Sequence, residues 1–251
     1  MHDESEFIGI ICDGDRTWAK EKYGVASKAD LTVDQLRDGY SMGANSVEQL
    51  MNTAIGEMRG ILAFWGLSDK NMSQRTEMNL RVLFDVFHTF FRNLLENWIN
   101  KAENKNVRLI HLGKPLGGLP DYTKETANAL NDVVASTKTR TGLVIAFCLN
   151  YNGDEELANA IRNWSVNKNG TFRDHLYLPQ ILQQPCPSLD GIIRTGIPTG
   201  KALRRGNYLI GYEEYKTAYI SSPLPSPEYS PEAFMTDLRT LREGNKKEAG
   251  A

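Results

Sequence analysis

Two short stretches of this chain gather charge in a way that suits an anionic substrate. In the first, Cys12-Asp13-Gly14-Asp15-Arg16-Thr17-Trp18-Ala19-Lys20, two carboxylates and an arginine stand where an apolar run gives way to a helical one. Carboxylates at such a point can hold a magnesium ion, and Arg16 with the helix N-terminal amides can hold phosphate. The same spacing also suits plain structure, with Asp15 capping a helix and Asp13 paired with a neighbouring base. The second stretch gathers Arg194, Lys201, Arg204 and Arg205 around Gly196, Gly200 and Gly206. Guanidinium groups engage phosphate oxygens two at a time, which suits a diphosphate, although a basic loop is also an ordinary solvated surface. Its string Gly196-Ile197-Pro198-Thr199-Gly200-Lys201-Ala202 is not a P-loop, having one residue too few before Gly-Lys and Ala202 where Ser or Thr should follow.

Ser68 and Asn71 follow another apolar run at a spacing that lets both face one pocket, with Glu77 opening the next helix. They could orient a diphosphate or relay a proton; the alternative is a helix N-cap. Further on, Leu80, Leu83, Phe84, Phe87, Phe91 and Leu94 recur at three- and four-residue spacing, with Phe90 beside the stripe. Such a stripe is ordinarily core. The bulk of Phe84, Phe87 and Phe91 would also suit the wall of a short apolar tunnel.

The elements that must position these residues alternate. Apolar runs at 7–12, 61–67, 107–112, 143–149 and 189–193 read as buried strands, and helical periodicity appears near 33–58, 74–101, 122–135, 154–167 and 174–183. That order predicts an α/β chain with a mostly parallel sheet, whose ligands sit in the loops after the strands. The prolines at 223, 225, 227 and 231 predict an extended surface strap, then a last helix at about 231–242 and a frayed tail over about 243–251. No repeat or linker divides the chain, so one domain over 1–251 is expected.

Composition narrows the function classes. With 29 Lys+Arg against 31 Asp+Glu the chain lacks the overall positive field that draws proteins to nucleic acid, so any anion site is local. The three cysteines are widely spaced without C-x-x-C, and the four histidines share no zinc-ligand spacing. A reducing, cytoplasmic location is expected, since the first residues do not read as a signal peptide and no apolar run is long enough for a membrane span. Neither G-x-S-x-G nor a G-x-G-x-x-G after a strand is present.

Taken together, six loops resemble the cis-prenyltransferases, the undecaprenyl diphosphate synthase family, over nearly the whole chain. The family's D-G-N-x-R-W-A is matched by Asp13-Gly14-Asp15-Arg16-Thr17-Trp18-Ala19, its G-H-x-x-G by Gly39-Tyr40-Ser41-Met42-Gly43, and its S-x-E-N-W by Ser68-Asp69-Lys70-Asn71-Met72. Gly113-Lys114 with Leu119-Pro120, the run Thr141 to Gly153, and Asp190-Gly191-Ile192-Ile193-Arg194-Thr195-Gly196 with Arg204-Arg205-Gly206-Asn207-Tyr208 continue the series. The resemblance implies a mostly parallel six-stranded sheet flanked by helices, a hydrophobic tunnel beside it and a homodimer. It also implies site roles. Asp13, Ser68 and Asn71 would be catalytic, while Gly14, Asp15, Arg16, Trp18, Arg194, Lys201 and Arg204 would bind diphosphate.

The departures bear on mechanism. Tyr40 stands for the family's His, Lys70 and Met72 for its Glu and Trp, Lys114 for its Asp, and Ile197-Pro198 for the glycine-glutamate after I-R-T. The Glu that joins the first-loop Asp in holding magnesium falls at Thr217 or Ala218, which leaves Asp13 with at best Glu214 as metal ligands. The arginine side is better kept than the metal side, a pattern similar to lavandulyl-type diphosphate synthases. The expected function is a non-elongating prenyltransferase that takes a short allylic prenyl diphosphate to a second prenyl diphosphate or a small acceptor, aromatic ones included, with weak or no dependence on magnesium. A cyclase or diphosphate hydrolase on the same fold, and a non-catalytic subunit of a cis-prenyltransferase complex, are the alternatives.

Overall fold

The five apolar runs become strands, and a sixth joins them. The computed structural model describes residues 5–118, 120–201 and 206–249. Strands β1 (Glu6–Ile11), β2 (Gly60–Ser68), β3 (Arg108–Leu112), β4 (Val144–Tyr151), β5 (Gly191–Arg194) and β6 (Ala218–Ser221) form one sheet in the order β3-β4-β2-β1-β5-β6, with every pairing parallel. All eight residues of β4 are buried, as a central parallel strand covered on both faces requires. The two-residue period sorts side chains between two cores. Ile8, Ile10, Leu62, Phe64, Ile145 and Phe147 pack on one face, and Phe7, Ile11, Ile61, Ala63, Val144 and Cys148 on the other.

Helices α1 (Asp15–Tyr23), α2 (Val33–Glu57), α3 (Asp69–Gln74), α4 (Glu77–Asn93), α5 (Lys124–Thr137), α6 (Gly153–Asn167), α7 (Tyr177–Leu182) and α8 (Pro231–Ala249) flank the sheet. Three expectations change in detail. The single helix expected over 74–101 is broken at Arg75 and Thr76, because Thr76 accepts the Asn79 amide and starts α4 afresh; a π-helical turn at Leu94–Trp98 ends it. The segment expected as a helix at 174–183 is a 3-10 turn (Phe172–His175) followed by α7, with Leu176 extended between them. The last helix does not stop at 242 but runs through Ala249, carried by Glu, Lys and Ala past Gly244.

The proline strap is packed rather than superficial. It makes a 3-10 turn at Ser226–Glu228 and buries Ser226 and Tyr229. The Ser226 amide donates to the Asp13 carbonyl at 2.9 Å, and the Ser46 hydroxyl of α2 donates to the Tyr229 carbonyl at 2.8 Å. Proline excludes a helix there but leaves side chains free to pack, so the strap covers the loop after β1.

Candidate active site

The loop after β1 is shaped by close backbone approach. Gly14 has φ 111°, and a Cβ on it would lie 2.6 Å from the Pro225 Cβ, so the strap above it demands glycine. Gly14 is the N-cap of α1, which has no side-chain cap; its first amides are left for an anion. Asp15 therefore does not cap the helix but begins it. The Gly39-to-Gly43 spacing lies in the middle of α2 and has a direct cause in α1. A Cβ on Gly39 would sit 2.8 Å from the Asp15 carbonyl oxygen, and one on Gly43 would sit 2.5 Å from Asp15 Oδ1. Two glycines one helical turn apart let α1 seat its first residue against α2.

A pocket of about 860 Å³, counting the space at its mouth, opens at this loop. Its polar end is formed by Asp13, Asp15, Arg16, Lys28, Tyr40 and Arg75, with Gly14 and Ser226 beside them. Its apolar end is formed by Phe64, Phe87, Phe90, Phe91, Phe147 and Leu149. Phe91 meets Phe147 edge-on with ring centroids 5.2 Å apart, and Phe90 meets both rings in the same manner. Of the expected tunnel residues, Phe87 and Phe91 line the pocket. Phe84 does not; it is fully buried behind Phe87, at 6.0 Å, and against Tyr122.

Asp15 has an unusual environment. Its Oδ1 is shut off from solvent without a hydrogen-bond partner. Burial pushes its carboxyl up to about 7, with Asp13 adding to the rise and Arg75 and Arg16 opposing it. Arg75, at the end of α3, has its guanidinium 5.9 Å from the Tyr40 ring centre, and its Nε is likewise buried without a partner. Burial raises the Tyr40 hydroxyl, which donates to Asn79 at 3.5 Å and stays neutral.

The remaining expected residues are distributed as follows. Asp13 and Arg194 are brought together, Nη2 to Oδ2 at 2.7 Å, while Thr195 accepts the Asp13 amide. Trp18 lies outside the pocket lining, under the Lys22 ammonium at 4.7 Å. Ser68 and Asn71 form a reciprocal cap on α3, each side chain taking the other's backbone amide, and neither lines the pocket. Lys201 is exposed on a turn; Arg204, with Arg205 and Leu119, lies outside the described residues. Sequence reasoning missed Arg75, Lys28 and Phe147 as site residues. Arg75 and Lys28 are single charges in polar stretches, and Phe147 reads as one more residue of a buried strand. Only the topology that aims them at one space distinguishes them.

The carboxylates present do not fit the expected magnesium pair. Asp13 already receives Arg194, and Glu214 is held by Arg173 at 2.8 Å and Ser188 at 2.7 Å. Glu214 and Thr217 precede β6, so they stand at the opposite end of the parallel sheet from Asp13, which follows β1. Thr217 spends its hydroxyl on the Leu189 carbonyl. Among the described residues no group of three His, Cys, Asp or Glu side chains could hold a metal ion.

Comparison with known proteins agrees with this architecture. Residues 11–248 match the undecaprenyl diphosphate synthase family model, Prenyltransf. Isoprenyl transferase from Treponema denticola is 24% identical over 251 residues, with 100% of each chain covered. Isoprenyl transferase from Clostridium acetobutylicum is 26% identical over 97% of this chain and 89% of its own. Lavandulyl diphosphate synthase from Lavandula x intermedia, solved with dimethylallyl diphosphate, superimposes with a TM-score of 0.77 at 20% identity over 94% of both chains, which is a likeness of fold. Among the described residues no helix is long and apolar enough to cross a membrane.

Proposed function

Because the chain belongs to the undecaprenyl diphosphate synthase family of prenyltransferases, we propose that it transfers a short allylic prenyl group, C5 to C15, to a second small molecule without chain elongation. The observation that carries this reading is the direct junction, in one pocket, of a cationic mouth with a wall of phenylalanine rings. In this reading the uncapped amides of α1, with Arg16, Lys28 and Arg75, hold the diphosphate. Those donors are fixed before the C–O bond breaks, so they stabilise the charge that develops on the leaving group without reorganising. The allylic cation then lies among Phe64, Phe87, Phe90, Phe91 and Phe147, whose ring faces favour positive charge and whose bulk excludes water. Phe87, Phe90, Phe91 and Phe147 crowd the apolar end of the pocket, which favours a short prenyl chain over a long one.

Arg194, with Lys201 and Arg204, is assigned to the second substrate, a prenyl diphosphate or a small acceptor, and a homodimer is the expected assembly. Asp13 acts here through Arg194, which it orients, and not through a metal ion. Ser68 and Asn71 shape the turn into α3 that leads to Arg75. The likeness to a solved lavandulyl diphosphate synthase is one of fold, and it is the pocket that favours the non-elongating reading; the isoprenyl transferase names of the curated relatives set elongation as the outcome to test against. The experiment is a panel of C5 to C20 allylic diphosphates, alone and with candidate acceptors, read by diphosphate release and product mass. Single coupling products from C5 to C15 donors support the reading. A ladder of products growing by C5 units with isopentenyl diphosphate would replace it with elongation, and release of a free alcohol or cyclic terpene would replace it with hydrolysis or cyclisation.

A further inference from the structure

The proposed function asks Arg75 to meet a diphosphate, yet an arginine in reach of two carboxylates has an easier fate. Asp13 and Asp15 both attract its guanidinium, and in the same pocket Asp15 Oδ1 and Arg75 Nε are each shut off from solvent without a partner. Collapse of Arg75 onto Asp15 would give both a partner and leave the mouth without a free cation. What stands against it is Tyr40. This side chain, 3% exposed on α2, carries the guanidinium 5.9 Å from its ring centre. Its hydroxyl has two neighbours, the same guanidinium and Asn79, to whose Oδ1 it donates at 3.5 Å. Asn79 in turn gives its side-chain amide to Thr76 Oγ1 at 2.6 Å, and the Arg75 backbone amide donates to the Asn71 carbonyl at 3.1 Å. Arg75 is thus held at both ends. The junction of α3 and α4 fixes its main chain, and Tyr40, tied back to that junction through Asn79 and Thr76, fixes its tip.

We infer that Tyr40 is a positioning residue of the donor site, whose ring and hydroxyl hold the Arg75 guanidinium over the pocket mouth and away from Asp15, so that the donor's diphosphate meets a cation already in place. Arginine stacks on aromatic faces, and such a face stabilises a cation without competing for it as a carboxylate would. A side chain restricted beforehand loses less freedom when the substrate binds. Tyr40 stands where the matching motif has a histidine, whose protonated form would set a further positive charge against Arg75 and Arg16. The neutral tyrosine removes that repulsion, and its hydroxyl keeps the link to Asn79.

This inference rests on the proposed function, in which Arg75 binds diphosphate, and the test separates the two. Geranyl S-thiolodiphosphate, a non-ionising analogue, is titrated by calorimetry into the wild type, Tyr40→Phe, Tyr40→Leu, Arg75→Ala and the double variant Tyr40→Leu with Arg75→Ala, each shown to be folded by its melting curve. Tyr40→Phe keeps the ring and loses the tie to Asn79, and should weaken affinity about threefold. Tyr40→Leu loses both and should weaken it roughly tenfold. In the Arg75→Ala background Tyr40→Leu should weaken it by less than about twofold, since a residue that acts through another has nothing left to act on. A merely structural Tyr40 would lower the melting temperature and leave the affinity of the folded protein unchanged, and that result overturns the inference. So does an equal loss in both backgrounds, which would make Tyr40 a substrate contact in its own right. Should Tyr40→Leu not fold, the same cycle is read with Tyr40→Phe: a loss that vanishes beside Arg75→Ala supports the inference, and one that persists overturns it. A wild type that binds neither the analogue nor inorganic diphosphate removes the proposed function itself, and the inference with it.

Discussion

Glu156 and Asp15 lie on opposite faces of the sheet, and the fold treats their carboxyl groups differently. Glu156, on α6, accepts hydrogen bonds from the Tyr151 and Tyr212 hydroxyls, both at 2.5 Å, and from the Tyr177 amide at 2.7 Å. Those three donors tie the end of β4, the turn before β6 and the start of α7 to one point. Asp15 is held up in its titration by burial just as Glu156 is, yet Asp15 Oδ1 has no partner at all. Burial alone therefore does not decide how a carboxyl is held. What separates them is satisfaction: the fully bonded group holds three elements together, and the group with an unpaired oxygen lines the pocket at the first loop.

The largest effect that can break this contrast is on stability at Glu156. Glu156→Ala strands two buried hydroxyls and an amide, and should cost roughly 3 kcal/mol or more. Glu156→Gln keeps an acceptor and should cost about a third of that. Urea denaturation measures both, and turnover per folded molecule should stay at the wild-type level. If Glu156→Gln folds normally but loses turnover, the assignment of Glu156 to structure is wrong.

Arg75 gives the next effect and the opposite signature. Arg75→Ala removes a charge-assisted donor from the mouth of the pocket and should weaken binding of geranyl S-thiolodiphosphate by about 1.5–3 kcal/mol, or roughly 10- to 150-fold. The melting temperature should stay the same or rise, because the guanidinium is buried with an unpaired Nε. A stability loss with unchanged affinity would make Arg75 part of the fold.

A smaller effect concerns pH. The Asp15 carboxyl lies near 7 in the folded chain against 3.8 ordinarily, so between those values the folded state binds more protons than the unfolded one and stability falls as pH rises. Asp15→Asn removes that slope. Its unfolding free energy should equal the wild type's at pH 4 and exceed it at pH 8 by about 1 kcal/mol once solvent access through the pocket mouth is discounted, which the melting temperature follows. Equal melting curves at both values would show that Asp15 is ionised without penalty and would weaken its contrast with exposed carboxylates.

How much of this was legible beforehand follows the physics of each element. Strands announce themselves by unbroken apolar runs, so β1 to β5 were readable within a few residues, while β6, half exposed over Ala218–Ser221, carries no such run. The first loop was readable because Asp13, Gly14, Asp15 and Arg16 are contiguous and Gly14 is demanded by local geometry. Arg75 and Phe147 were not, because they meet the loop only through the sheet order that lays β2 between β1 and β4. Ser68 and Asn71 illustrate the converse: their spacing suits a site and a helix cap equally, and their hydrogen bonds are those of a cap.

The smallest expected effect is that of chelation, and it tests the two ends of the sheet against each other. At the upper end Asp13 Oδ2 is engaged by Arg194; at the lower end Glu214 is engaged by Ser188 and Arg173, which together hold its carboxyl below the usual range and so keep it ionised and occupied. Magnesium favours two carboxylates, or one with substrate phosphates, and here the first-loop carboxylate must give up an arginine to serve. Excess EDTA should therefore change diphosphate release by less than about twofold, and Asp13→Ala should act by loosening Arg194 rather than by losing an ion. A double-mutant cycle distinguishes the two, since partners in one ion pair are non-additive: Asp13→Ala with Arg194→Ala should be little worse than either alone. Complete loss of turnover in EDTA, restored by magnesium, would mean that substrate draws Asp13 away from Arg194 to ligate a metal ion.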